Sequence, residues 1–168
     1  MSLRFRQRHV HRTVSALIEA ELTSLGWVTA PINFSTVPMT FLEFQPDEAG
    51  KQIAANTVAV TVGNEPAALD QELGDGLRCI DLPLFVDVYG ANQSIATAIA
   101  SDIKRILEDR ALRVQDYSAE TPVDTSEWIE LDKDDLLIER PTPPAQATDF
   151  RRFWRVVKTV VRIFYVES

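Results

Sequence analysis

Apolar residues at Val10, Val14, Leu17, Ile18, Leu22 and Leu25 recur at spacings of three and four, which predicts a helix over about Gln7 to Leu25. Gly26 follows where a left-handed cap favours a residue without a side chain, and Trp27 is placed to close over the helix end. A second stripe, Ile95, Ile99, Ile103, Ile106 and Leu107, is widened by Ala96 and Ala100 and predicts a helix over about Gln93 to Asp109. Asp102, Lys104, Arg105 and Glu108 face water on this reading, and Asn92 or Ser94 caps the first amides. Elsewhere the period shortens to two. TVAVTVG (57–63) reads as a strand and Leu77–Tyr89 as its partner, with Leu82, Leu84, Val86 and Val88 forming one aliphatic face. FWRVVKTVVRIFYVE (153–167) reads as a long final strand.

The stretches between carry weaker patterns. Pro31, Pro38 and Pro46 interrupt 28–56 and leave room only for short edge strands within Thr36–Phe44. NEPAALDQELGDG (64–76) reads as a long acidic hairpin loop. The acid- and proline-rich stretch 111–150 holds two short strands, Glu127–Leu131 and Leu136–Glu139, before PTPPAQAT, a stiff extended linker. This order predicts a single α+β domain over 1–168, with a mostly antiparallel mixed sheet and two main helices on one face. Residues 1–9 read as a basic N-terminal arm, 111–150 as an extended insertion, and Leu77–Tyr89 with the following helix as part of a split βαβ core.

Composition narrows the function classes. No segment approaches the roughly 18–20 uninterrupted apolar residues of a membrane span. MSLRFRQRHVHR lacks the apolar core and cleavage site of a secretory signal, and the single Cys79 fits a reducing compartment. The net charge of −8 is unevenly spread. Residues 1–12 carry four Arg and no acid; residues 42–140 carry 21 acids against eight bases; residues 150–168 carry five bases against Glu167. Basic ends and an acidic middle suit pairing between copies, whereas a pI near 4.8 argues against binding to a nucleic-acid backbone. The donor surface is then Arg4, Arg6, Arg8 and Arg12. The acceptors are the acidic loops, with Glu72, Asp75, Asp132, Asp134 and Asp135, and Phe153 and Trp154 offer apolar contact. Assembly through such pairs is expected to weaken as salt rises.

Candidate chemistry is sparse. YGANQS (89–94) has one glycine and no lysine, so it matches neither a P-loop nor a dinucleotide fingerprint, and the G-x-S-x-G elbow is absent; it reads as a connector. His9 and His11 stand two apart on a helix and read as surface residues rather than metal ligands. Cys79 sits in an apolar strand, where thiols are usually inert. EWIELDKDDLLIE (127–139) lacks the glycine and terminal Glu spacing of a calcium loop. No catalytic, cofactor or metal residues are assigned.

The chain as a whole adds one resemblance. A helix ending in L-x-x-L-G-W leads through a proline-rich segment to a strand, then to V-D-V-Y-G with a helix A-x-A-x-x-I-x-x-I-L, an acidic variable stretch and a final strand RVVKTVVRIFYV. This order, over about Val10 to Val166, resembles the tail terminator and tail-completion proteins of long-tailed bacteriophages. The resemblance implies a non-enzymatic virion protein, assembled in the host cytoplasm as a hexameric ring. Such a ring caps the tail tube and meets a head–tail connector or stopper, with DNA passing through. The closest alternative is another neck or baseplate-adaptor protein of the same virion, a head–tail connector, stopper or adaptor, and a small cytoplasmic enzyme or ligand-binding domain built on Cys79 and the Asp-rich segment is the rival of another class.

Overall fold

The computed structural model of the chain describes residues 3–27, 40–42, 56–63, 71–142 and 153–166. Two helices, α1 (Leu3–Ser24) and α2 (Gln93–Leu107), accompany eight strands among these residues. The strands are β1 (Thr40–Leu42), β2 (Thr57–Val62), β3 (Gln71–Gly74), β4 (Leu77–Tyr89), β5 (Arg110–Asp116), β6 (Val123–Leu131), β7 (Leu137–Glu139) and β8 (Trp154–Val166). The fold is α+β. At its centre, β4 and β8 pair antiparallel from Leu77 opposite Val166 to Tyr89 opposite Trp154. On the other side of β4, β3 pairs with its first residues and β2 with its last. On the other side of β8, β6 pairs with its last residues and β7 with its first. β1 adds to β2 in parallel and β5 to β6 antiparallel.

Period two sorts the ribbon into faces. Ile80, Leu82, Leu84, Val86 and Val88 of β4 and Val157, Val161 and Ile163 of β8 join Val58, Val60 and Val62 of β2 in one buried cluster. Both helices lie on this face, with Val10, Val14, Ile18 and Leu22 of α1 and Ile95, Ile99, Ile103 and Leu107 of α2 in the same cluster. The helix ends follow local chemistry. Gly26 takes φ 86°, and the amides of Gly26 and Trp27 donate to the carbonyls of Thr23 and Leu22, closing α1 in the double-bonded cap that glycine permits. Trp27 is buried, and its indole Nε1 donates to Asp102 of α2 at 2.8 Å, so Asp102 is tied to α1 rather than turned wholly to water. Asn92 caps α2, its Oδ1 accepting from the Ile95 amide at 3.0 Å. Gly90 is required by space: a Cβ there would lie 2.4 Å from the Ala96 amide nitrogen. YGANQS is a turn packed hard against the helix it starts.

Several expectations change. The basic start is no free arm, because residues 3–9 already belong to α1. His9 and His11 are buried, not superficial. The His9 Nδ1 accepts from the Tyr117 amide at 3.1 Å, and the His11 Nε2 lies 2.8 Å from the Val60 carbonyl, so each satisfies a backbone group of the sheet. Leu25 falls past the last turn and is exposed. Gln71–Gly74, read as loop, forms β3, while 64–70 lie outside the described residues. Stretch 111–150 contributes a hairpin, β5–β6, joined to β8 through β6, rather than a mere insertion. No split βαβ forms, since β4 and β5 run in opposite directions with β8 and β6 between them. The proline-rich segments 28–39 and 43–55, and most of PTPPAQAT, lie outside the described residues.

Candidate functional site

The face of the sheet away from the helices does not show the polar alternation of a solvated antiparallel sheet. Its rows follow from the register. At the upper end, Thr57, Tyr89 and Trp154 stand side by side, and below them Ala59, Asp87, Val156 and Glu139. Next come Thr61, Phe85, Lys158 and Leu137. Lower rows hold Asp81, Arg162 and Glu130, then Cys79, Phe164 and Trp128. Tyr89 stacks on Trp154 with ring centroids 5.8 Å apart, and Trp128 on Phe164 at 5.1 Å. Arg162 pairs with Asp81 at 3.1 Å. This face is thus aromatic at both ends, with charged side chains in the rows between.

Asp87 is the one carboxylate buried in the upper rows, 3% exposed, with Trp154 Nε1 donating to its Oδ1 at 2.8 Å. Burial pushes it up to about 6, although the indole hydrogen bond and Lys158 both pull downward. Trp154 is therefore half-buried and engaged inside the chain rather than offered as a free apolar contact, and Phe153 accepts the Gly90 amide through its carbonyl. Cys79 is buried on the same face and 3.9 Å from Asp81 Oδ1.

The predicted donor surface divides. Arg6 reaches Glu127 at 2.8 Å and covers the Tyr165 ring at 3.6 Å, a contact within one chain. Arg12 lies over the Tyr117 ring at 5.9 Å. Arg8 is exposed, and the Arg4 side chain lies outside what is described. The acidic run is locally satisfied. Asp132 accepts from the Asp134 amide, and Lys133 meets Asp109 through its own amide and its ammonium. Asp135 borders a shallow groove of about 220 Å³ that also takes in Asp109, Arg110 and Arg162, so its charges are mixed. Glu72 and Asp75 stand apart on the exposed β3 hairpin, with Asp75 in the left-handed region at φ 52°. The predicted site residues therefore occupy separate places and do not converge on one centre.

The open strand edges carry what sequence reasoning missed. β3 is exposed along its length and β7 likewise, and among the described residues each pairs with a neighbour on one side only. Leu73 is 51% exposed on β3, and Leu137 and Ile138 are 59% and 37% exposed on β7. Beside β7, Arg155 is buried, donating to the Trp154 carbonyl at 2.8 Å. Burial, and then the neighbouring Arg140, lower its affinity for its proton. Among the described residues neither guanidinium has a carboxylate at ion-pair distance. No helix among the described residues is long and apolar enough to cross a membrane. No protein-family model matches this chain, and no curated protein is significantly similar to it.

Proposed function

We propose that the protein is a structural component of a phage neck: a tail terminator that assembles as a hexameric ring on the head-proximal end of the tail tube and meets the head–tail connector. The observation that carries this reading is the set of surfaces left open by one chain. Two exposed edge strands lie on opposite sides of the central ribbon, and the sheet face away from the helices keeps stacked aromatics in its lower rows. A head-to-tail ring requires two different complementary surfaces on every subunit. The element order described above supplies the family resemblance. The reading assigns no catalytic residue and no cofactor.

The test is mass measurement in solution, for the protein alone and mixed with the tail tube protein. A ring mass in either sample supports the terminator. Binding to connector or stopper protein in place of tube protein would move the assignment to another neck component. A monomer that ignores both would remove it.

A further inference from the structure

The exposed edge strands β3 and β7 differ in chemistry. β3 and its turn present Glu72, Leu73 and Asp75, an apolar side chain between two acids. β7 presents Leu137, Ile138 and Glu139, the last paired with Lys158, followed by Arg140 with the buried Arg155 behind it. Exposed edge strands with large apolar residues invite another strand, and natural proteins usually blunt them with lysine, proline or a cover. Here neither edge strand contains a lysine or a proline. They also cannot meet within one chain. Ile138 stands opposite Val157 and, through it, Val86, while Glu72 stands opposite Arg78, eight residues earlier on β4 and on the other side of the ribbon.

We propose that the β3 hairpin of one copy docks along β7 of the next copy, with Leu73 beside Leu137 on the sheet face away from the helices and with Glu72 and Asp75 facing Arg140, behind which Arg155 lies buried. The occupant follows from charge complementarity. Among the described residues Arg140 has no carboxylate partner and the buried Arg155 adds to the positive potential behind it, which matches two acids at the opposite edge, and neither β3 nor β7 pairs on its outer side with another described strand. Direction fits as well: β3 runs antiparallel to β4, and β7 antiparallel to β8, so joining β7 to the next copy's β3 in the same orientation continues the antiparallel alternation. The contact is heterologous, with different surfaces meeting, as closure into a ring requires. The inference rests on the ring reading and names the surfaces that build it.

The test uses the full chain in a Cys79→Ser background, with Leu73→Cys and Leu137→Cys singly and together, treated with a short bismaleimide. The substituted residues of β3 and β7 are exposed, as is Arg140 just past β7, while Cys79 is buried, so melting curves by circular dichroism check that each variant folds. The double variant should give a ladder of covalent multimers on a denaturing gel, while each single variant stays monomeric. In a second arm, Arg140→Glu should weaken assembly by about tenfold or more, and adding Glu72→Arg should restore it, because reversing both charges restores their complementarity. A folded double variant that assembles to ring mass but gives no ladder overturns this interface and leaves the ring reading standing. A protein that stays monomeric with and without tube protein overturns both.

Discussion

Asp87 is a buried carboxylate in the row of Ala59, Val156 and the exposed Glu139, below the Tyr89–Trp154 stack, and its position has a measurable cost. Its pKa rises from the ordinary 3.8 to about 6, so between those values the folded chain binds a proton that the unfolded chain releases. Stability from this group is therefore greatest below about pH 4 and falls as pH rises through 6, by roughly 3 kcal/mol at full ionisation. Asp87→Asn keeps an oxygen for the Trp154 indole and removes the charge. It should raise stability at pH 7.5 by one to a few kcal/mol and change little at pH 4, as urea unfolding at the two pH values would read; equal effects at both would mean that charge burial is not the cause. Thr159 makes the opposite case. It is buried between Val157 and Val161 on the helix face, and its Oγ1 has no hydrogen-bond partner. Thr159→Val keeps the shape and removes the unmet hydroxyl, so stability should rise by about 1 kcal/mol. Neither residue could be singled out by pattern, because the period marks faces and says nothing of which polar group finds a partner.

Elements were legible in proportion to how fully their own side chains decide their burial. α2 and β4 carry complete stripes, and their bounds follow from sequence within a residue or two. Ile99 and Ile103 meet the face of Leu84, Val86 and Val88 in one cluster, so Ile103→Ala should cost about 2–5 kcal/mol; a loss below about 0.5 would contradict that packing. β5 and β3 escaped because little of their stability is written in them. β5 has only Leu112 and Val114 facing the core, and its backbone is completed from α1, with Thr13 Oγ1 accepting from the Gln115 amide and His9 from Tyr117. α1 thus buries two stripes, an apolar one and a polar one of Arg6, His9 and Thr13 that docks on the β5–β6 hairpin. Removing residues 1–8 accordingly does more than trim a basic end. It deletes the Arg6–Glu127 pair, strands a buried carboxylate and removes the Gln7 bonds to the Val62 and Gly63 carbonyls. The truncated chain should melt several degrees lower than the full chain in a thermal scan. An unchanged melting temperature would return these residues to the role of a free arm.

For the whole molecule, the net charge of −8 and the charge pairs proposed at the edges act in opposite directions on assembly. Copies repel through their overall charge at long range, and this repulsion is screened first: the screening length falls from about 30 Å at 0.01 M salt to about 8 Å at 0.15 M. Contacts between Glu72 or Asp75 and Arg140 act over a few ångströms and yield only at higher salt, while apolar contact through Leu73 and Leu137 is not weakened by screening. A steady weakening with salt, which charge pairing alone implies, is therefore only half of the expected curve. The assembled fraction, read as native mass over a salt series, should rise from about 0.01 M to about 0.15 M and then fall toward about 1 M. A rise that continues to the highest salt would leave the apolar contacts as the sole glue. A fall from the lowest salt onward would mean that local pairs outweigh the net charge at every distance that matters. In Arg140→Glu the falling limb should disappear, since that chain has lost the attraction that high salt would screen.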